Sequence, residues 1–478
     1  MLGRVFKAYD IRGTYPDLLN EQMAWQIGYG TSKFLREQAE AAGDFAPMMR
    51  NIIVGRDMRK SSPSLCKQLI KGIVEQGGDV VDVGLVDTPF VYFAINHLDC
   101  AGGVMTTASH NPPQYNGFKI SKRKAKPVGE TTGLAEIRKR AAMVDPLTFT
   151  AASGRVEQRD LWPDYIAHVR AFLDLHGKKI KVVVDASNGM AGTMVPRIFG
   201  KKGAEIPGLT IVELNFDNSK GEFVHEPNPL VAANLRQLQE AVIKEKAAFG
   251  ICFDGDADRL VVVDEKGQVV GCDLLTALLA KHFLARNEGA AVVYDLRSTK
   301  ALEEDIKAAG GVPVKGRVGH VFMKQALAEK RGVFGGELSG HFYFRDNFNA
   351  DSGAIAMATV LSVATKSSKT MSEMIKPIAR YKQSGEINFQ IEDKDAALAK
   401  VKEAFGPGSK AKGVIEELDG VTVDCFKTAL SSGGGWWCNI RKSNTEPLLR
   451  LNLEAKDQKT LDKMLNQIAP MLGQRVDH

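Results

Sequence analysis

The feature that most constrains the fold of this chain is a run of β-branched residues that occurs three times, each time just before a polar loop. The three segments are 51–57, 181–189 and 291–298. Such runs are typical of strands that are buried on both faces of a parallel sheet. A segment that can form a helix follows each run, for example Ser64–Val74, and a second strand follows the helix. This order predicts an α/β sheet in each region.

The three regions also end alike, because a small or glycine-bearing lead-in opens a loop rich in residue types used in catalysis. These loops are Gly102–Asn111, Phe249–Arg259 and Gly332–His341. If the three regions are related structural repeats, the loops hold equivalent places in their domains. We therefore expect the three loops to converge on one cleft.

The last hundred residues have a different pattern. They predict helices at Lys394–Phe405 and Thr460–Met471, and strands at Val414–Glu417, Val421–Phe426 and Leu448–Glu454. Strands with short links and helices at the edges indicate a small α+β domain. A chain of 478 residues is longer than one hydrophobic core usually supports, so three or four domains are expected.

Composition limits the class of protein. Hydrophobic residues make up 44% and charged residues 25% of the sequence, as in ordinary globular proteins. The net charge of +6 suits anionic ligands and is weak evidence for a nucleic-acid partner. The six scattered cysteines predict buried free thiols in a reducing compartment. The N-terminus lacks the pattern of a signal peptide and no apolar stretch approaches ~20 residues, so we expect a cytoplasmic protein with no membrane and no nucleic-acid partner.

The strongest single motif is acidic. Asp254, Asp256 and Asp258 alternate along the chain, so the three carboxylates would lie on one side of an extended segment. Oxygen ligands of this kind suit Mg²⁺ or Ca²⁺, and neighbouring carboxylates repel one another without a cation. An EF-hand is disfavoured because Arg259 stands at its glycine position. The remaining alternative is a solvated acidic turn, and we favour a metal site.

A second motif, from Thr106 to Lys119, contains a candidate nucleophile. Pro112 and Pro113 disfavour a helix just beyond Ser109. A serine presented on such a loop can act as a nucleophile if a neighbour activates it. The Gly-x-Ser-x-Gly pattern of acyl-transfer hydrolases is absent from the sequence. Taken alone, the motif is better interpreted as a turn capped by serine and asparagine.

Two further motifs carry groups that suit a sugar phosphate. Glu337, Ser339 and His341 alternate, so all three could face one cleft and bind sugar hydroxyls, although a polar strand edge is an equally good interpretation. The segment Arg441–Pro447 gathers phosphate donors, which favours a phosphate clamp over an exposed turn. The basic run Lys119–Lys126 lacks interleaved aromatic residues and predicts a solvated hairpin tip.

Together with the segment Ala8–Gly13, these motifs resemble those of the α-D-phosphohexomutase superfamily, within it the phosphomannomutase/phosphoglucomutase group. The shared motifs are the Ser-His-Asn-Pro, Asp-Gly-Asp-Ala-Asp-Arg, Gly-Glu-Leu-Ser-Gly-His and Arg-Lys-Ser-Asn-Thr-Glu-Pro loops, in the same order over essentially the whole chain. The resemblance implies a heart-shaped enzyme with three similar α/β domains with mixed sheets and a smaller C-terminal α+β domain around a central cleft. We expect the domains at 1–153 (phosphoserine loop), 154–267 (metal loop), 268–380 (sugar-binding loop) and 381–478 (phosphate-binding loop).

The resemblance also implies roles for individual residues. Ser109 would be the phosphoserine, and it would hold Mg²⁺ together with Asp254, Asp256 and Asp258. Arg12, Lys119 and His341 would serve proton transfer and charge support. The residues expected to bind substrate are Tyr9, His110, Asn111, Arg259, Arg297, His320, Glu337, Ser339, Arg441, Ser443, Asn444 and Thr445. Of these, Glu337 and Ser339 would bind ring hydroxyls, and the last four would grip the phosphate that is not being transferred.

The implied activity is the interconversion of hexose 1-phosphate and hexose 6-phosphate, with mannose or glucose as the sugar. It would proceed through phosphoserine and a 1,6-bisphosphate, with Mg²⁺ as cofactor and glucose or mannose 1,6-bisphosphate as activator. The segments Gln114–Lys119 and Glu337–Ser339 look more like the hexose enzymes than the phosphoglucosamine mutases, which remain an alternative. A Mg²⁺-dependent sugar phosphatase and a non-catalytic binder are further alternatives. We expect a monomer or a small homo-oligomer.

Overall fold

The computed structural model describes residues 2–144, 154–200, 205–427, 434–443 and 448–476. The chain divides into two compact units. The first unit comprises Met1–Cys272 and Ser339–Ser372, and the second comprises Asp273–Leu338 and Glu373–His478. The four domain bounds expected from the sequence remain predictions.

A mixed sheet forms the N-terminal part of the first unit. Its strands are β1 (Ile11–Thr14), β2 (Asn51–Arg56), β3 (Asp79–Leu85), β4 (Gly102–Thr106), β5 (Tyr115–Lys122), β6 (Lys126–Pro127) and β7 (Val156–Gln158). They are ordered β1-β5-β4-β2-β3-β7, with β6 on β5. Strands β2, β3, β4 and β7 run parallel, and β5 is antiparallel to its neighbours. The helices are α1 (Glu21–Ala41), α2 (Ser62–Glu75), α3 (Thr88–His97) and α4 (Leu134–Met143).

A second mixed sheet lies in the same unit. Its strands are β8 (Ile180–Asp185), β9 (Leu209–Leu214), β10 (Phe249–Phe253), β11 (Leu260–Asp264) and β12 (Val269–Val270), in the order β12-β11-β10-β8-β9. Strand β8 is parallel to β9 and β10, whereas β10, β11 and β12 are successively antiparallel. Its helices are α5 (Trp162–Arg170), α6 (Ala191–Ile198) and α7 (Arg236–Glu245).

The next stretch of chain contributes to both units. Strands β13 (Ala291–Asp295), β14 (Val312–Gly316) and β15 (Phe334–Gly336) are parallel, with β13 in the centre. Helices α8 (Cys272–Leu284), α9 (Lys300–Ala308) and α10 (His320–Glu329) accompany them. The chain continues with β16 (Phe342–Phe344), which pairs antiparallel with β17 (Ala350–Asp351), and with α11 (Gly353–Lys366) and α12 (Met371–Ile375).

The C-terminal sheet is antiparallel and belongs to the second unit. Its strands are β18 (Lys382–Gln390), β19 (Val414–Glu416), β20 (Val421–Asp424), β21 (Trp436–Lys442), β22 (Leu448–Ala455) and β23 (Gln474–Val476), in the order β19-β20-β21-β22-β18-β23. Helices α13 (Lys394–Phe405) and α14 (Gln458–Leu472) cover it. The predicted bounds of helix α13 are confirmed to the residue. The helix begins at Lys394 because the Asp393 side chain caps its first turn by accepting a hydrogen bond from the Ala396 amide.

The α/β class expected from the sequence is confirmed. The three β-branched runs form the buried strands β2, β8 and β13, and each of these strands is parallel to both of its neighbours. All six cysteines are buried and free, as predicted. Among the described helices, none combines the length and apolar character needed to cross a membrane.

Candidate active site

Ser109 lies in the loop between β4 and β5, in the first unit. Its φ of 50° is left-handed, a conformation that is uncommon for residues other than glycine. The side chain is buried, and its Oγ donates to Asp254 Oδ2 at 3.0 Å. His110 Nδ1 lies 3.2 Å from Ser109 Oγ. Burial, with Arg259 and Arg12 nearby, lowers the pKa of His110 well below its ordinary value, so this ring is neutral.

The three aspartates converge at a turn, and not along the extended segment that the sequence predicted. Strand β10 reverses directly into β11, with Phe253 opposite Leu260, so residues 254–259 cannot be extended. Ala257 adopts a φ of 58° within this turn. Asp254, Asp256 and Asp258 nevertheless offer carboxylate oxygens within 4.8 Å of one another, and all three are buried.

Lys119 shares charge with these carboxylates. Its Nζ lies 2.7 Å from Asp256 Oδ2 and 2.6 Å from Asp258 Oδ2. Burial alone would lower the pKa of Lys119, but the attraction of Asp256 and Asp258 outweighs it and raises the pKa. Lys119 is therefore a half-buried ammonium. It lies within strand β5 and outside the hairpin tip to which the sequence assigned the whole run 119–126, while Lys124 and Lys126 are exposed there.

The remaining oxygens fit a divalent cation. Asp256 Oδ1 and Asp258 Oδ1 are buried and have no hydrogen-bond partner among the described residues. Lys119 occupies only the Oδ2 atom of each residue, so the ammonium and a cation could be bound at once. Burial and the neighbouring Asp258 and Asp256 also raise the pKa of Asp254 well above its ordinary value. A hard cation would relieve this repulsion.

Arg12 and Tyr9 lie at the start of β1 in the same unit. Arg12 donates through Nη1 to Asn111 Oδ1 and through Nη2 to Asp10 Oδ2. It therefore contacts the Ser109 loop directly. Tyr9 is half-buried just before the strand.

His341 is held between an arginine and a carboxylate. Arg259 Nε donates to His341 Nε2 at 2.9 Å, and His341 Nδ1 lies 2.7 Å from Asp351 Oδ2. An arginine can only donate, so Nε2 accepts, and Nδ1 carries the proton toward Asp351. This arrangement fixes the orientation of the His341 ring, which in turn orients Arg259, whose Nε lies 3.7 Å from Asp254 Oδ2.

The alternation predicted for residues 337–341 is not present. These residues form a turn between β15 and β16, and Gly340 has a φ of 86°, so period-two geometry does not apply. Glu337 belongs to the second unit, whereas Ser339, which is half-buried, and His341, which is buried, belong to the first. Glu337 Oε1 accepts from the Gly319 amide at 2.8 Å, immediately before His320, which begins α10.

In the second unit, Arg297 is buried at the end of β13. Asp295 holds it through two bonds, Nε to Oδ1 at 3.1 Å and Nη2 to Oδ2 at 2.9 Å. The same carboxylate accepts from the Leu338 amide at 2.7 Å. Asp295 thus links Arg297 to the segment that carries Glu337. Burial alone would lower the pKa of Arg297, but Asp295 outweighs it and raises the pKa.

A carboxylate in the C-terminal sheet gathers three arginines. Glu386 lies 3.2 Å from Arg441 Nη2, 3.2 Å from Arg450 Nη1 and 3.5 Å from Arg297 Nη1. Arg441 Nε is buried without a hydrogen-bond partner in the described part of the chain. The Ser443 amide donates to Leu448 O at 2.9 Å. Asn444 and Thr445 lie outside the described residues.

Sequence reasoning missed several residues that shape these clusters. Asp295 ends a strand that contains a β-branched run, and that position is a signal that could have found it. Asp351 and Glu386 carry no comparable signal, because their roles follow from the residues that strand pairing places beside them.

Four domains of one sequence family match the chain. They are described as phosphoglucomutase/phosphomannomutase alpha/beta/alpha domains I, II and III and the C-terminal domain, and they match residues 3–146, 163–267, 272–381 and 386–471, respectively.

Curated and solved relatives agree with these matches. A phosphomannomutase of Salmonella montevideo is 35% identical over 455 residues, covering 94% of each chain. A solved phosphoglucomutase/phosphomannomutase family protein of Burkholderia thailandensis is 30% identical, with a TM-score of 0.84 over 98% of this chain and 96% of that chain. An Aspergillus fumigatus N-acetylphosphoglucosamine mutase, solved in complex with glucose 1,6-bisphosphate, shares the fold at 14% identity and a TM-score of 0.57, over 98% of this chain and 95% of its own.

Proposed function

Because this chain belongs to the phosphoglucomutase/phosphomannomutase family, we propose that it interconverts hexose 1-phosphate and hexose 6-phosphate through a phosphorylated Ser109. Membership makes the chain a phosphohexomutase, an enzyme that moves a phosphoryl group between positions of its sugar substrate. The observation that carries the proposal is the 3.0 Å separation between Ser109 Oγ and Asp254 Oδ2, inside a cluster of three buried carboxylates.

The proposed reaction consists of two transfers in opposite directions. In the first, the free hydroxyl oxygen of the hexose phosphate bonds to the phosphorus on Ser109, the bond from phosphorus to Oγ breaks, and the hydroxyl proton ends on Oγ. The resulting 1,6-bisphosphate turns around, and its other phosphoryl group returns to Ser109 by the reverse step. No phosphate is consumed. The Aspergillus enzyme of this fold, which is in complex with glucose 1,6-bisphosphate, supports such a compound as intermediate and activator.

Asp254, Asp256, Asp258 and Ser109 would hold Mg²⁺ in this proposal. Bound there, Mg²⁺ would neutralise negative charge on the group being transferred. Lys119 contributes a second positive charge beside Asp256 and Asp258. Arg12 orients Asn111 in the serine loop, and His341 orients Arg259.

The substrate-binding roles are proposed separately for each unit. In the second unit, Arg441 and Ser443, with Asn444 and Thr445, would bind the phosphate that is not being transferred, and Arg297 would add charge. Glu337 and His320 would bind the sugar. In the first unit, Ser339, Tyr9 and His110 would contact the substrate. Arg441 supports this assignment best, because its buried Nε–H lacks an acceptor among the described residues and guanidinium groups bind phosphate through paired donors.

Replacing Ser109 tests the proposal. Ser109→Ala should abolish formation of glucose 6-phosphate from glucose 1-phosphate and remove a phosphate adduct from the intact mass. Ser64→Ala is the control, because Ser64 lies in α2 and donates a hydrogen bond to Glu21, which is not part of the aspartate cluster. Turnover by Ser109→Ala would end the proposal. Stoichiometric release of inorganic phosphate by the unaltered enzyme would instead favour the phosphatase.

The sugar is tested by comparing kcat/KM on mannose 1-phosphate, glucose 1-phosphate and glucosamine 1-phosphate. The curated relatives that match include a phosphomannomutase and a phosphomannomutase/phosphoglucomutase, so we expect the two hexose phosphates to be preferred. A preference for glucosamine 1-phosphate would overturn the assignment to a hexose and favour the phosphoglucosamine mutase alternative.

A further inference from the structure

Arg59 is a fully buried arginine in the turn between β2 and α2. A guanidinium has five N–H donors, and each of them has an acceptor here. Nε donates to Asp57 Oδ2 at 3.1 Å. Nη1 donates to Pro112 O at 2.7 Å and Tyr115 O at 3.1 Å. Nη2 donates to Ser109 O at 2.8 Å and Asn111 O at 2.7 Å.

Four of the five acceptors are backbone carbonyls of the segment 109–115, which contains the proposed phosphoserine. This segment has no regular secondary structure until β5 begins at Tyr115, so strand and helix bonds are not available to most of its carbonyls. Buried carbonyls require donors. One planar guanidinium supplies them, and it sets the spacing of the carbonyls through its rigid fork.

The Ser109 carbonyl is also in close contact with the metal loop. A side-chain carbon added at Gly255 would lie 2.3 Å from Ser109 O, so the two backbones are in close contact and only glycine fits. The carbonyl is thus in contact with both Gly255 and Arg59. Because Ser109 also has a left-handed φ of 50°, its Oγ direction depends on these contacts.

Arg59 itself is held in place by two neighbours. Asp57 Oδ1 accepts from the Arg59 amide at 3.1 Å and also from Ser62 Oγ. The ring of Phe223, from the second sheet's domain, lies over the guanidinium at 5.2 Å. A cation covered by an aromatic ring is shielded from water. The arginine therefore has one orientation.

We propose that Arg59 is a positioning residue that fixes the Ser109 loop so that Oγ is directed at Asp254. The inference rests on the proposed role of Ser109 as the phosphoryl carrier. It assigns Arg59 no contact with substrate. A lysine would keep the charge but has three donors on a flexible stem, so it cannot serve four carbonyls and Asp57 together.

Arg59→Lys is the main test, with Arg36→Lys as control. Arg36 also donates to a backbone carbonyl, Gln76 O at 3.1 Å, but outside the site. We expect Arg59→Lys to lower kcat about 100-fold, because small displacements of reacting groups cost that much. KM should stay within about threefold, because Arg441 and Ser443, which are proposed to bind the phosphate, are unchanged. A loss caused by partial unfolding would lower the active fraction and be visible in thermal unfolding. Free guanidinium added to Arg59→Ala should recover part of the lost kcat.

A second readout separates this inference from the proposed function. Dephosphorylated enzyme is mixed with glucose 1,6-bisphosphate, and the phosphate adduct on Ser109 is followed by mass spectrometry. If the unaltered enzyme never gains the adduct, the proposed function fails. If it does and Arg59→Lys gains it equally fast with the same kcat, the positioning role is wrong. Slow phosphorylation in folded Arg59→Lys, with Arg36→Lys unaffected, supports the inference.

Discussion

At the scale of single residues, the site depends on the ion pairs between Lys119 and a cluster of three buried carboxylates. Lys119 binds the Oδ2 atoms of Asp256 and Asp258, and the Oδ1 atoms of both accept no hydrogen bond from the residues that the structure describes. Removing one member of a buried ion pair leaves an uncompensated charge, which usually costs more than the pair contributes. The lysine and the metal should therefore compensate for each other.

Lys119→Met tests this compensation. In EDTA, the variant should lose about 3 kcal/mol of unfolding free energy, because the buried carboxylates lose their ammonium. Mg²⁺ should then raise its melting temperature more than it raises that of the unaltered protein. Lys122→Met, on the same strand with a bond to Thr132 O, is the control. Equal Mg²⁺ shifts in all three proteins would show that the two cations do not share ligands.

Asp258→Asn tests the cation site itself. EDTA should silence the enzyme and Mg²⁺ should restore it, while the variant should bind Mg²⁺ at least about tenfold more weakly, as measured by calorimetry. Asp264→Asn is a matched control, because Asp264 ends β11 and accepts from the Lys266 and Gln268 amides. If both variants bind Mg²⁺ like the unaltered protein, the site lies elsewhere.

At the scale of elements, the C-terminal sheet brings like charges together. Arg441 on β21 lies directly opposite Arg450 on β22, an unfavourable cross-strand pair. Glu386 on the next strand, β18, lies 3.2 Å from both. Its carboxylate stabilises the pair, and it also occupies donors that a phosphate would use.

Glu386→Gln should therefore tighten binding of inorganic phosphate, by about tenfold, because one competing negative charge is removed. The same change should lower the melting temperature without phosphate, because the arginines then repel one another. Calorimetry with inorganic phosphate gives the affinity, and the exposed Glu403→Gln in α13 is the control. Weaker phosphate binding would mean that Glu386 orients Arg441 and does not compete with the ligand.

At the scale of the whole molecule, sequence periodicity predicted the elements better than the geometry of the loops. The β-branched runs became β2, β8 and β13, and α13 was predicted to the residue. Strand β21 was missed because Trp436–Arg441 is buried on both faces and has no alternation.

The site was predicted in its membership more than in its shape. The alternation of Asp254–Asp258 suggested convergence for the wrong reason, since a hairpin turn and not an extended strand gathers the carboxylates. Arg59 and Glu386 could not be assigned, because their partners lie 50 or more residues away in the chain and one sequence does not show such pairings.

The stability of the whole chain should depend on pH through Glu454. Burial raises its pKa from the ordinary 4.5 to about 7, so the folded state keeps a proton that the unfolded state releases. This contribution to stability is fully present below pH ~4.5 and is lost as pH rises through ~7, with an upper size of about 3 kcal/mol.

Glu454→Gln should flatten that decline. Glutamine keeps an oxygen for the Lys300 amide and for Trp437 Nε1, both at 2.8 Å, and does not titrate. Denaturant unfolding across the window gives the slope. Asp87, whose pKa burial also raises to about 7, should keep part of the slope in the variant. An unchanged slope would show that Glu454 does not cause the pH dependence of stability.

Transfer of the phosphoryl group by way of Ser109 can be followed through one turnover. Enzyme that carries a radiolabelled phosphate on Ser109 is mixed with one equivalent of unlabelled glucose 1-phosphate and quenched at short times. We expect the label to leave Ser109 and to appear in glucose 1,6-bisphosphate and then in glucose 6-phosphate. Formation of glucose 6-phosphate while the label stays on the protein, or release of the label as inorganic phosphate, would contradict this expectation.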